Sequence, residues 1–279
     1  MLTTFAMIAF AGNSLLCRLA LKNTGIDAAS FSSIRLLSGA IVLYLIIYFR
    51  PARQAQENQH KGDWVSAMAL FAYVAGFSFA YQQLSAATGA LLLFASVQVS
   101  MIGYGIWSGE RLRGLQLIGS ALAFLGLCAL LLPGLSAPPV VNAMLMIAAG
   151  IAWGIYSLRG RAASDATAVT AGNFLRAVPF ALVLSLLSFK SASLDTAGIL
   201  HAICSGAVAS GIGYAIWYTA LPSLKAASAA SVQLSVPLIA AFGGILLLDE
   251  QINMRLAIAS VAILGGIALV IFEKAKKPE

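Results

Sequence analysis

Residues 86–132 and 226–271 are two versions of one pattern: an apolar run rich in small residues, a short charged break, then a second apolar run. The first break is Gly109-Glu110-Arg111-Leu112, and the second is Asp249-Glu250-Gln251-Ile252. Glu110 matches Glu250 and Gly126 matches Gly266, each 140 residues on. The match extends outward, since Arg18 pairs with Arg159 and Arg35 with Arg176 at 141 residues, and Leu84 with Leu221 at 137. Residues 1–137 and 138–279 therefore read as two copies of one unit, and a repeat of this length constrains the fold before any single helix does.

The chain is 60% hydrophobic and 10% charged, whereas soluble domains carry about 25% charged residues. Too little polar surface exists to face water all round, so the expected solvent is lipid. Ten segments approach the roughly 20 apolar residues needed to cross hydrocarbon: 2–21, 28–49, 64–84, 86–107, 113–132, 139–160, 166–189, 196–220, 224–248 and 254–272. The runs are continuous and do not alternate, which favours helices over a barrel. The expected fold is an all-α membrane protein of ten transmembrane helices in two five-helix repeats. The first run begins apolar without a basic leader, so it reads as a retained span and not a signal peptide.

Five crossings per copy is an odd number. The second copy then starts from the opposite side of the membrane, and the two repeats must be inverted, a plan common among transporters. The net charge of +7 speaks to orientation, not to nucleic acid. Eleven Lys and Arg fall on the side of both termini: Arg50, Arg53, Lys61, Arg111, Arg113, Arg159, Arg161, Lys225, Lys274, Lys276 and Lys277. Only Lys22, Lys190 and Arg255 fall on the other. Both termini are expected in the cytoplasm. Glu110 would then be cytoplasmic and Glu250 outside.

No Gly-x-x-x-x-Gly-Lys-Ser/Thr loop is present, so ATP hydrolysis by that route is excluded. His60 and His201 each stand alone, and Cys17, Cys128 and Cys204 lie in apolar runs without metal spacing. No cofactor, metal or catalytic residue is expected, and an enzyme is not the favoured class. The acidic residues, among them Asp27, Glu57, Asp63, Asp165, Asp195, Glu250 and Glu273, fall at span ends or in loops. A proton-coupled carrier of cations needs a carboxylate within the membrane, so neutral or zwitterionic cargo fits better.

Candidate cargo residues are the polar and aromatic groups at mid-span. They are Asn13 in span one; Tyr73, Phe77 and Tyr81 in span three; Gln98, with Tyr104 beyond it, in span four; Trp153 and Tyr156 in span six; Tyr214 and Trp217 in span eight; and Gln233 in span nine. The spacing of Tyr73, Phe77 and Tyr81 puts them on one helical face. An amide in hydrocarbon needs a partner, so Asn13, Gln98 and Gln233 should face protein or water. An aromatic stripe also packs helices or forms an interfacial belt, and that plainer reading stands beside the first. Pro237 cannot donate to the Gln233 carbonyl, which makes it a candidate hinge or a static kink. Arg18, Arg35 and Arg176 lie inside spans. Recurrence of the last two at matching places favours helix-end caps bonding loop carbonyls, with a clamp for a cargo carboxylate as the other reading. Gly150, Gly154, Gly243, Gly244, Gly265 and Gly266 are expected to let helices approach closely.

The five-plus-five plan, the arginine early in the second span of each half (Arg35, Arg176) and the small-residue fourth span ending in Gly109-Glu110 or Asp249-Glu250 resemble the EamA-type drug/metabolite transporter superfamily over essentially the full chain. One departure shows: members often carry a proline in the fourth span of each half, and here Pro237 has it while the first half has Gln98. Within the superfamily the interior residues resemble the amino-acid exporters of the YddG type. The resemblance implies a secondary transporter in a bacterial inner membrane, exporting aromatic or neutral amino acids by alternating access. Efflux of another metabolite or drug, and a channel or scaffold, are the alternatives.

Overall fold

The computed structural model describes residues 2–49, 62–107, 109, 114–132, 137–160, 165–220, 232–233 and 235–275. Seven long helices run in order: α1 (Leu2–Asn23), α2 (Ala28–Tyr48), α3 (Trp64–Tyr81), α4 (Ala86–Trp107), α5 (Gly114–Leu131), α6 (Val140–Gly160) and α7 (Ala166–Leu187). A continuous rod follows, built from α8 (Thr196–Ile203), a π-helical segment (Cys204–Ile212) and α9 (Gly213–Ala220). Two further apolar helices, α10 (Ser235–Leu248) and α11 (Met254–Ala275), complete the bundle. Eight of these units are long and apolar enough to cross a membrane, the rod counted as one. No strand occurs among the described residues. The protein is an all-α, multi-pass membrane protein of about ten helices.

Glu110, the first part of the ninth span, Pro133 to Ser136, His60, Glu57 and the basic residues Arg50, Arg53, Lys61, Arg111, Arg113, Arg161, Lys225, Lys276 and Lys277 lie outside the described residues.

Aspartates set the helix starts. Asp27 accepts from the Ala29 and Ser30 amides at 3.0 Å, Asp63 from the Ser66 amide at 2.9 Å, and Asp165 from the Ala168 amide at 3.0 Å. A short acceptor before a helix satisfies amides that have no intrahelical partner, which is why acids collect at span ends here. Asp27 also accepts from the Ser193 amide at 2.9 Å, tying the α1–α2 turn to the turn before α8. Burial works against the Asp27 charge, but the bonds from Ser30, Ser193 and Ala29 outweigh it and hold its pKa below the ordinary carboxylate value.

Leu125, Leu182, Leu246 and Val261 are more than half exposed, as a lipid-facing surface requires. Inward packing runs on glycine. A side chain at Gly119 would strike the Gly266 carbonyl and one at Gly266 the Gly119 carbonyl, so α5 and α11 meet backbone to backbone. Gly150 sits over the Leu93 carbonyl and Ser96, and Gly154 over Ser100, which seats α6 on α4. Gly206 lies against the Arg35 carbonyl, which brings the π-helical segment onto α2. Without a water-driven force between lipid-bathed helices, such close van der Waals contact supplies much of their attraction. The third contact decides where the polar centre forms.

Candidate functional site

A chain of polar side chains crosses the middle of the bundle. Ser205 Oγ donates to Asn13 Oδ1, and Asn13 Nδ2 donates to Ser210 Oγ at 3.1 Å. Arg35 Nε donates to the same Ser210 Oγ at 3.2 Å, and Arg35 Nη2 donates to Tyr73 Oη at 3.0 Å. The chain joins α1, α2, α3 and the π-helical segment. Ser205 and Ser210 are five residues apart, about 1.4 turns of an α-helix, which would place them on different faces. The Gly213 amide donates to the Val208 carbonyl, the i→i+5 pattern of a π-helix, and the wider turn brings both serines to Asn13.

Arg35 is 0% exposed. Its guanidinium carbon stands 5.2 Å from the Tyr73 ring centroid and 5.0 Å from that of Phe77. Its Nη1 has no hydrogen-bond partner. The salt bridges among the described residues are Arg18–Glu250 and Arg159–Asp63, so neither reaches it. A guanidinium at membrane depth costs roughly 3 kcal/mol on insertion scales, and a desolvated cation–π contact returns about 2 kcal/mol. Two rings and two hydrogen bonds offset much of that cost, while Nη1 stays unpaired.

This corrects the expectation that Arg35 caps a helix end. Asp27 already caps α2, and the carbonyl-capping role falls to Arg18. Arg18 Nη1 donates to the Tyr81 and Gln82 carbonyls, each at 2.9 Å, at the end of α3. Arg176, which matches Arg35 in the sequence pattern, is half-buried and donates to the Gly172 carbonyl of its own helix at 3.0 Å.

Around the polar chain the aromatic rings form one connected cluster. Tyr73, Phe77 and Tyr81 touch in sequence, with centroids 5.5 and 4.6 Å apart. Trp153 is the hub: it lies 4.9 Å from Tyr73, 5.1 Å from Tyr214, 5.5 Å from Tyr156 and 6.3 Å from Phe10. Phe10 connects onward to Trp217 at 5.9 Å. Tyr214 is fully buried beside the polar chain, 5.1 Å from Trp153. The structure thus brings together Asn13, Tyr73, Phe77, Tyr81, Trp153, Tyr156, Tyr214 and Trp217. Gln98 is buried in α4 and Gln233 is half-buried ahead of α10. Pro237 is buried in α10. Tyr104 is 50% exposed beside Trp107 and faces outward, not into the bundle.

Two polar clasps lie towards opposite ends of the bundle. In one, Glu250 Oε1 accepts from Arg18 Nε at 3.1 Å, and Oε2 accepts from the Ala86 amide at the start of α4 at 2.7 Å. Asp249 turns the chain there with φ 52°, and the Glu250 amide returns to the Gly244 carbonyl at 3.1 Å. In the other, Arg159 Nη2 donates to Asp63 Oδ1 and Arg159 Nε to Ser66 Oγ, each at 3.0 Å. Asn173 Oδ1 there accepts from the Asp63 amide at 2.9 Å. Burial raises the Asp63 pKa, but the Ser66 and Arg159 contacts prevail and hold it below the ordinary value.

Comparison with known proteins places this architecture. The model of the EamA-like transporter family matches residues 1–132 and again residues 141–272. The chain belongs to the EamA-like transporter family. This EamA-like chain is 55% identical over 273 residues to an uncharacterized protein of Pseudomonas aeruginosa, covering 97% of this chain and 93% of that one. It is 31% identical over 180 residues to the "Probable amino-acid metabolite efflux pump" of Escherichia coli, 59% of this chain and 60% of that one. A solved crystal structure superimposes with a TM-score of 0.68 over the whole of both chains at 20% identity, which shows the fold alone.

Sequence reasoning passed over four residues at this transporter's centre: Phe10, Phe174, Ser205 and Ser210. Phe174 joins the cluster 5.8 Å from Tyr214, and neither Phe10 nor Phe174 has a second ring at helical spacing in its span to mark a face. The signal for the serines was the glycine-serine run from Ser205 to Gly211, where small residues permit close backbone approach and a wider turn.

Proposed function

We propose that this transporter carries small neutral or zwitterionic solutes, in particular aromatic or neutral amino acids, outward across a bacterial inner membrane, by alternating access without ATP. The supporting observation is the buried centre, a ring cluster and a polar chain drawn from both halves of the chain. Asn13, Arg35 and Tyr73 come from residues 1–137, and Trp153, Ser205, Ser210 and Tyr214 from residues 138–279. Rings of this kind stack on an aromatic side chain, and amides bond ammonium and carboxylate groups. The double match of one family model supports reading the halves as repeats. The efflux-pump name of the Escherichia coli relative supports amino-acid cargo moving outward.

In this reading both termini are cytoplasmic, the Arg18–Glu250 clasp closes the outer end and the Asp63–Arg159 clasp the inner end. Each opens while the other holds. Membrane-impermeant thiol labelling of single cysteines at positions 110 and 250 should give opposite sides; the same side would sink the inversion. Counterflow in proteoliposomes tests the cargo. With unlabelled amino acid inside, labelled phenylalanine should accumulate transiently from outside. Folded protein that shows no accumulation with any amino acid would move the reading to another metabolite.

A further inference from the structure

We propose that Arg35 is the anchor for a carboxylate on the cargo, so that this carrier requires a carboxylate headgroup and does not require an ammonium. The inference rests on the transport reading for its cargo, but its chemistry stands on Arg35 alone.

Arg35 is a fixed cation, since a guanidinium does not lose its proton in proteins. It is fully buried, with Nε and Nη2 committed to Ser210 and Tyr73. Nη1 is left with two N–H groups and no acceptor. Buried donors are ordinarily satisfied, and an unpaired one beside a charge with no counter-ion among the described residues points to an acceptor that arrives from outside. Phe77 and Tyr73 cover faces of the guanidinium through their rings, which stabilise the charge but cannot accept a hydrogen bond in its plane. A carboxylate does both things the site lacks: its oxygens take the spare N–H groups and its charge balances the cation.

The surroundings set the rest of the specificity. Tyr214, whose hydroxyl can rotate toward an acceptor, belongs to the same ring cluster. An organic cation would meet an uncompensated positive charge with no carboxylate to offset it. An apolar side chain would lie against Tyr73 and Trp153, 4.9 Å apart. The cargo class is therefore a monocarboxylate with an apolar, ring-sized body. A zwitterionic amino acid qualifies by its carboxylate.

The test is a headgroup series on one body, read as thermal stabilisation of the purified full-length carrier: phenylalanine, 3-phenylpropionate, 2-phenylethylamine and phenylalanine methyl ester. Phenylalanine and 3-phenylpropionate should stabilise, and the amine and ester should not at equal concentration. Arg35→Gln should weaken carboxylate binding roughly 10- to 150-fold, the loss of one charged hydrogen-bonding group. Arg35→Lys should weaken it less and keep the preference. If the amine or ester stabilises as well as the carboxylates, or neither carboxylate stabilises, the anchor is overturned, and the wild-type series decides this even if Arg35→Gln fails to fold. Stabilisation by 3-phenylpropionate without phenylalanine counterflow keeps the anchor and removes the amino-acid reading. Phenylalanine counterflow inhibited equally by the amine does the reverse.

Discussion

In Trp153→Ala, transport of phenylalanine is expected to fall by about tenfold or more relative to that of alanine, and the protein is expected to melt earlier. Trp153 meets four rings, on α1, α3, α6 and α9. A ring pair is worth about 0.5–1.5 kcal/mol beyond burial, and truncating a buried Trp costs roughly 3–5 kcal/mol in water-soluble cores. Part of that loss is stability and falls on every substrate alike. The cargo-dependent part arises because a ring-bearing substrate loses its stacking partner, and about 1.4 kcal/mol of it is tenfold in affinity. Paired phenylalanine and alanine transport, with a melting curve for each variant, separates the two. Equal losses for both substrates would return Trp153 to packing alone.

Glu250→Ala should be the second large effect. The Arg18 and Glu250 side chains are only 12% and 10% exposed, and Glu250 also holds the Ala86 amide at the head of α4. Breaking a fully buried pair from one side costs roughly 3–5 kcal/mol, and this part-buried pair, whose Arg18 keeps its carbonyl bonds, should lose less than that. Arg18 would keep its bonds to the Tyr81 and Gln82 carbonyls, so α1 and α3 stay joined while α10 and α4 are released. Cys17, one residue from Arg18, is fully buried. With the exposed Cys128 and Cys204 replaced by serine, Glu250→Ala should label at Cys17 with maleimide far faster than its parent. A lower melting temperature with unchanged labelling would make the clasp a static brace and not a gate.

Much of this was legible beforehand. The limits of most described spans followed from apolar runs, and the acids fell at span ends as expected; their role as helix caps emerged only from the structure. The stripe Tyr73, Phe77, Tyr81 and the pairs Trp153–Tyr156 and Tyr214–Trp217 followed from helical spacing. The role of Arg35 does not follow from its match to Arg176 in the sequence pattern, because each side chain's partners come from other helices or from its own turn. Arg35 and Arg176 have different partners: Arg35 meets Ser210 and Tyr73, while Arg176 bonds the Gly172 carbonyl of its own helix. Tyr104 was misplaced because position along a helix does not say which way a residue points. Glu250 was read as a loop charge, and nothing in its neighbourhood announced Arg18, 232 residues away.

The sequence by itself determined that the chain is helical and lives in lipid. Hydrocarbon offers a backbone no partner, so a long apolar run has one way to satisfy its N–H and C=O groups. It also determined which residues could not rest in lipid unpaired, among them Asn13 and Arg35. Only the tertiary structure decided what they pair with. Rotation of each helix about its axis depends on where glycines let a neighbour in, as Gly206 does against the Arg35 carbonyl. It also depends on a π-helical segment whose extra residue per turn shifts every face after it. Those contacts join residues up to 197 positions apart, and no local pattern carries that information.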